Sequence, residues 1–349
     1  MTTEEIRIRQ MTNQHLMRKA EKMTVARDLC GMQAQFMANA LHSLRIRAHD
    51  VDAESFGQGL VKSWTLRGTM HVFAEDDLPL FLCCQHAGHY RRNVWDEPSF
   101  WNQRADWALT PERQAYFTQA ILDALAQAPR TREELKELCR GQGMTQPEAE
   151  SMFHPWGGGV REMCERGFMY YAAQEQKIFR LAPVFEPLPE ADARLEIARR
   201  YFMHIAPATI RDAAYFFGAT QRQVKQWLDA LPVTSVVCEG KTYYWIDHGL
   251  SYDAAIPDCV FLAGFDQLML GYEKKESLYL RQEHLRQIFN LAGIVMPGVL
   301  LHGQVAGRWK KQGGKVSVLL FDSVSHADRR IISDAAAMLW DDLTAVEFE

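Results

Sequence analysis

The strongest constraint on this chain is an order of elements that occurs twice. Thr131 with Glu134, and Thr220 with Gln223, have capping-box spacing, in which each pair satisfies orphan amides at a helix start. The first opens the helix around LKEL. A turn holding Gly141 and Gly143 leads to a second helix from about Pro147, ending at Gly167. Strand-like runs at 168–172 and 177–181 follow. Downstream, helices at 192–204 and 209–217 break at Gly218, and the Thr220 box starts QVKQWLDAL. Strands at 233–238 and 242–246 then flank a Glu239-Gly240 turn. Helices closed by a two-stranded hairpin are the order of a winged helix, a helix-turn-helix with a β wing. In the later copy Val224, Trp227, Leu228 and Leu231 fall on one side. Arg222, Lys225 and Gln226 fall on the other, as a solvated face or a surface for DNA.

A third copy fits the first hundred residues, with helices at 13–20, 24–31 and 35–47 and a hairpin of 64–67 and 71–73 around Gly68-Thr69. Pro183, Pro187 and Pro189 mark a connector, and after Pro257 the texture becomes β-rich. Runs at 260–264, 268–271, 277–280, 298–302, 304–309 and 316–321 read as strands, and 327–343 as a closing helix. The expected architecture is α+β: three tandem winged-helix units at 1–107, 108–187 and 188–250, then a β-rich, barrel-like C-terminal domain at 251–349.

Seven cysteines without a CxxC pair, including the adjacent Cys83 and Cys84, read as reduced thiols in a cytoplasmic protein. Twelve histidines show no HExxH spacing, so neither a metal nor another cofactor is expected. No apolar run approaches the roughly 18 residues of a membrane span, and the charged MTTEEIRIRQ start lacks a signal-peptide core. No membrane partner is expected. Without heptads, the chain reads as a monomer.

A net charge of −5 argues at first against nucleic acid. Its distribution argues otherwise. Residues 1–50 hold eight Lys and Arg against five acids, and Arg308, Lys310, Lys311 and Lys315 follow one another with no acid between. A face of that kind attracts phosphate backbone whatever the total.

Gln33 and Gln35, two positions apart at a helix start, read on spacing alone as polar surface or capping residues. Gly157, Gly158 and Gly159 serve either a tight bend or amides for a phosphate. Phe216 with Phe217, and Tyr243 with Tyr244, have the spacing of core packing.

Four runs change the weighting of the glutamines: CGMQAQFMANALHSLRIR, SWTLRGTMHVF, FLAGFDQLMLGYEKKE and PGVLLHGQVAGRWKK. In this order, across nearly the whole chain, they resemble the AlkZ/YcaQ family of bacterial winged-helix DNA glycosylases. The resemblance implies three winged helices and a β-barrel-like domain wrapped around duplex DNA. It implies hydrolysis of the N-glycosidic bond of alkylated bases, N7-alkylguanines above all, with unhooking of interstrand cross-links in some members. The partner is then double-stranded DNA with alkylated bases, in the bacterial cytosol.

The family's catalytic Gln-x-Gln falls on Gln33 and Gln35. Arg67 and His71 fall in its RGT-x-H segment, where His71 either meets the lesion strand or is satisfied by nearby backbone. Asp266 matches an Asp before a lesion-probing hairpin. That hairpin reads GYEKK here, with Lys274 and Lys275 keeping the charge and Tyr272 in place of a basic residue. Trp309 and Lys310 match a Trp-basic pair, either contacting DNA backbone or forming a core Trp with a solvated Lys. The competing reading is a non-catalytic regulator with 220–231 as recognition helix. A hydrolase built on His71 lacks any nucleophile motif.

Overall fold

Side-chain caps set most of the helix starts. Thr110, Thr131, Thr145, Thr209, Thr220 and Ser325 each accept from a backbone N–H one turn on. Five of these, all but Thr110, are full capping boxes. The computed structural model describes residues 1–49, 51–82, 101–155 and 157–349. Cys83 and Cys84 lie outside the described residues, as does Asp50.

The chain divides into two units, one made of Met1–Asp52 with Ile197–Glu349 and the other of Ala53–Glu196. In the second, Leu60–Trp64 and Met70–Ala74 form an antiparallel hairpin with Ser63 opposite His71. Leu60–Trp64 also pairs with Met169–Ala172, which pairs with Ile178–Leu181, and Arg130–Thr131 joins the last. Helices Pro111–Gln127, Arg132–Gly141, Gln146–Met152 and Gly158–Glu165 pack a core of Phe117, Ile121, Leu135, Cys139, Met163 and Phe179, each fully buried. The glycine run at 157–159 answers to packing. A Cβ on Gly157 would lie 2.0 Å from the Trp101 ring, and one on Gly159 would lie 2.3 Å from the Met152 sulfur.

The first unit holds the helices Thr3–Asn13, Lys22–Asp28 and Met37–Arg45, then Ile210–Phe217 and Gln221–Ala230. The hairpin Thr234–Cys238 with Lys241–Trp245 turns through Glu239 and Gly240, both left-handed at φ 48° and 74°. Two consecutive positive φ values suit the twist of a two-residue hairpin turn. Cys259–Phe261, Gly298–Leu301, Gln304–Gln312, Lys315–Leu320 and Ala345–Phe348 make a five-stranded sheet. One face of it meets the helix His326–Leu339 through Phe261, Val316, Val318, Ile332 and Trp340.

Several expectations shift. The first helix is Thr3–Asn13, opened by a Thr2–Glu5 capping box in the charged segment, and 13–20 is largely irregular. The run expected as a strand at 268–271 is a helical turn, Gln267–Leu270, because Asp266 caps it from Leu268 N at 2.9 Å. Residues 277–280 form no strand. Short apolar runs carry no period that separates the two choices. The C-terminal sheet is open, ending at Cys259–Phe261 and Ala345–Phe348, and no closed barrel is found among the described residues.

Candidate functional site

Helix Lys22–Asp28 stops short of the two glutamines, and Cys30 and Gly31 turn the chain through left-handed φ of 55° and 80°. Met32–Gln33 is then extended, and Met37–Arg45 begins with Phe36 as an N-cap that supplies no side-chain bond. Gln33 is buried and Gln35 exposed. Gln33 Nε2 donates to Gln35 Oε1 at 3.2 Å, so the inner amide orients the outer one. Phe36 beside them is 55% exposed, its ring stacked on Phe265 with centroids 6.3 Å apart.

This segment stands on a buried ionic base. Arg47, two residues past the helix Met37–Arg45, donates to both Asp266 oxygens at 2.6 and 2.9 Å, with both side chains fully buried. Its remaining donors reach Gln14 O at 2.9 Å and the Ser43 carbonyl and hydroxyl at 3.0 and 3.1 Å. A fork-on-carboxylate pair with every guanidinium nitrogen engaged is the geometry that makes burial of two charges tolerable. Asp266, expected at DNA, is therefore corrected to an internal anchor. Its neighbours complete the base: Gln267 Nε2 donates to Leu29 O at 3.2 Å, and Gly264 lies so close to Asn39 that a Cβ would sit 2.6 Å from its amide nitrogen. His42, on the same helix, donates to Phe261 O at 2.7 Å. Burial pushes its pKa down to about 4, so the ring is neutral.

The expected hairpin at 271–275 is instead a loop leading into a single 3₁₀ turn, Lys274–Glu276. Tyr272 is the reason. Its buried hydroxyl donates to Ile205 O at 2.6 Å and accepts from Gln14 Nε2 at 2.7 Å, which fixes the loop to the interior where a basic side chain could not go. Lys275 is exposed, and the Lys274 ammonium lies 5.9 Å from the Phe289 ring centroid.

Trp309 faces the core side of the sheet, its Nε1 donating to Leu262 O at 2.8 Å and its ring 5.1 Å from that of Trp340. Strand alternation puts Lys310 on the opposite face with Arg308 and Gln312, above a cavity of about 470 Å³ that Lys315 and Glu347 also line. The charge there is smaller than the sequence suggests. Lys311 is tied to Asp342 at 2.6 Å and Lys315 to Glu347 at 3.0 Å. Arg222 and Lys225 are exposed on Gln221–Ala230, with Val224 and Leu228 turned inward.

In the second unit, Arg67 and Gly68 take successive left-handed φ of 59° and 64° at the tip of the 60–74 hairpin. His71 is buried. Its Nδ1 lies 2.8 Å from Thr65 Oγ1 and 3.1 Å from Thr69 O, and its Nε2 3.4 Å from an Arg67 nitrogen. Burial, then the Arg67 charge, push its pKa down to about 3. It is a neutral ring bonded to its own hairpin rather than a group presented to phosphate.

Among the described residues, Glu283, His284 and Asp322 are the cluster close enough to share a metal ion. The Arg281 guanidinium already binds Asp322, which fits a surface ion-pair network better than a cation site. The reading of the sequence missed Arg47, whose partner lies 219 positions away, and Phe36, whose exposure no local pattern encodes.

Residues 26–341 match the family model described as DNA glycosylase AlkZ-like. The interstrand DNA cross-link repair glycosylase of Streptomyces sahachiroi is 24% identical over 331 residues, which cover 88% of this chain and 87% of that protein. The solved structure of the Streptomyces sahachiroi DNA glycosylase AlkZ aligns over 100% of both chains, with a TM-score of 0.79 at 22% identity. That likeness shows a shared mixed α+β fold.

Proposed function

This chain belongs to the AlkZ-like DNA glycosylase family, and from that membership we propose that it hydrolyses the N-glycosidic bond of cationic, N7-alkylated purines in duplex DNA. The observation that carries this reading is the Gln33–Gln35 amide pair, one member buried and one exposed, on a rigid base. An amide is not a base at neutral pH. It can hold a water by accepting its hydrogen bond, and its dipole favours positive charge developing nearby.

Those abilities suit a labile bond. An N7-alkylguanine is already a cation, so the bond from C1′ to N9 breaks with its electron pair neutralising the departing base. No protonation of the leaving group is needed. The sugar carries oxocarbenium-like charge as the bond opens, as in glycoside hydrolysis. A water oriented by Gln35, itself oriented by Gln33, adds to C1′ and releases its proton to solvent. Neutral, unmodified bases gain too little from such weak assistance, which is one source of selectivity.

The duplex is held through phosphate by Arg67, Arg222, Lys225, Lys274, Lys275 and Lys310, without reading sequence. The reading includes three winged-helix units at 1–107, 108–187 and 188–250 and a β-rich unit at 251–349. The protein acts as a cytoplasmic monomer without metal or cofactor. The Streptomyces relative is named for interstrand DNA cross-link repair, and unhooking of such cross-links belongs to the same proposal.

The test is incubation with a duplex carrying one 7-methylguanine, followed by alkali to cleave abasic sites. Strand scission by the parent protein, lost in Gln33→Ala/Gln35→Ala, is the expected result. Scission at background, or equal in the double variant, rejects the assignment.

A further inference from the structure

Phe36 is an aromatic ring where elementary packing would not leave one. It sits directly after Gln35, at the N-cap of the helix Met37–Arg45, and is 55% exposed while its neighbours Ala34 and Met37 are buried. One side of the ring rests on Phe265, which is itself buried and held by a backbone bond from its N–H to Val295 O at 3.1 Å. The left-handed Phe265 backbone, at φ 56°, is fixed between Gly264 against Asn39 and the Asp266–Arg47 pair. The remaining surface of the Phe36 ring faces solvent, one residue from the amide that would orient the attacking water.

We propose that Phe36 is the stacking platform for the base being excised, and that it selects cationic lesions through the π face. This rests on the glycosylase reading above and names how that site tells its substrate from normal DNA. Any nucleobase gains from stacking on an aromatic ring. A positively charged purine gains more, because the ring quadrupole is negative over its face. The backing ring matters: a platform that cannot retreat holds the base at a defined height relative to Gln35. The cation–π part of this attraction fades as the C1′–N9 bond opens and the base becomes neutral, so it acts on capture of the lesion, and the excision rate reads it at enzyme concentrations below saturation.

Single-turnover excision from a 7-methylguanine duplex tests this, with far-UV circular dichroism and thermal melting confirming that each variant folds. Phe36→Ala and Phe36→Leu should both lose about tenfold to a hundredfold in rate, or about 1.4–2.7 kcal/mol at 1.36 kcal/mol per decade. Phe36→Trp should stay within about threefold of the parent, since it keeps an aromatic face. Affinity for undamaged duplex should change less than about twofold in all three, because phosphate contacts supply it. Parental rates in Phe36→Leu would overturn the proposal by showing that any apolar group suffices. So would a Phe36→Trp as slow as Phe36→Ala, or a Phe36→Ala as fast as the parent. If the parent protein itself releases no base, the glycosylase reading fails and this inference falls with it.

Discussion

The Gln33–Gln35 segment and the outer face of the C-terminal sheet belong to the same compact unit, yet they are built on opposite terms. The segment carries no charge at its surface and is braced from beneath by the buried Arg47–Asp266 pair, by Gln267 and by Gly264 against Asn39. The sheet face carries Arg308 and Lys310 alternating along a strand held by a neighbour on each side, while Lys311 and Lys315 are already paired with Asp342 and Glu347. A water-orienting amide works only within a fraction of an ångström, so its position has to be over-determined. A phosphate-binding cation works through a field that falls off over several ångströms, so it can stay mobile and solvated. Position and charge are thus supplied by different parts of one unit.

Breaking the brace should have the largest effect. Asp266→Ala leaves the Arg47 guanidinium buried without its counter-ion, a change that costs about 3–5 kcal/mol. With roughly 2–4 °C lost per kcal/mol in a domain of this size, the melting temperature should fall by about 10 °C. A melt within about 2 °C of the parent would show the brace to be dispensable. Arg308→Ala on the open face should change stability by less than about 0.5 kcal/mol.

Next in size is the chemistry. Gln33→Ala should slow base excision on the order of 10²-fold under single-turnover conditions, the scale on which a positioning or dipolar group contributes. Duplex affinity should stay near parental. Loss of affinity without loss of rate would exchange the roles assigned to the two regions.

A smaller effect comes from pH. His42 is neutral in the folded state with its pKa pushed down to about 4 by burial, against about 6.5 in an unfolded chain. Above pH 6.5 both states carry the neutral ring. As pH falls from 6.5 toward 4 the unfolded chain gains the proton first, so stability drops, by about 2 kcal/mol at pH 5. Urea unfolding at pH 7 and pH 5 should show this difference, and His42→Gln should remove its share of it. Equal stability at both pH values in the parent would contradict the neutral buried ring.

The smallest expected effect distinguishes two adjacent lysines. Lys310→Ala should weaken duplex binding up to about tenfold and lower the salt slope by about one. Lys311→Ala should do less, because its ammonium is already held by Asp342. The reverse order would move the phosphate contact to the other side of the strand.

What was legible in the sequence follows from the range of each signal. Capping boxes act over three residues, so Thr131 with Glu134 and Thr220 with Gln223 identified helix starts that the structure keeps. The same signal at Thr2 and Glu5 lies in a charged stretch read only for its lack of a signal-peptide core. The apolar run 268–271 fits a strand or a helix equally, and only the Asp266 cap decides it. Trp309 and His71 were left with two readings each, and their partners, Leu262 O and the turn around Thr69, come from the folded chain. The buried role of Asp266 was out of reach, since nothing near residue 266 announces a guanidinium from residue 47.

That separation has a consequence for the order in which the molecule is made. Arg47 and Asp266 lie 219 positions apart. At a synthesis rate of about 5–20 residues per second, Asp266 leaves the ribosome roughly 10–40 s after Arg47. The segment 53–196, a unit with its own core, is complete well before then. The glutamine pair therefore gains its full support late in translation, only after the stretch between Glu196, where the middle unit ends, and Asp266 has been added.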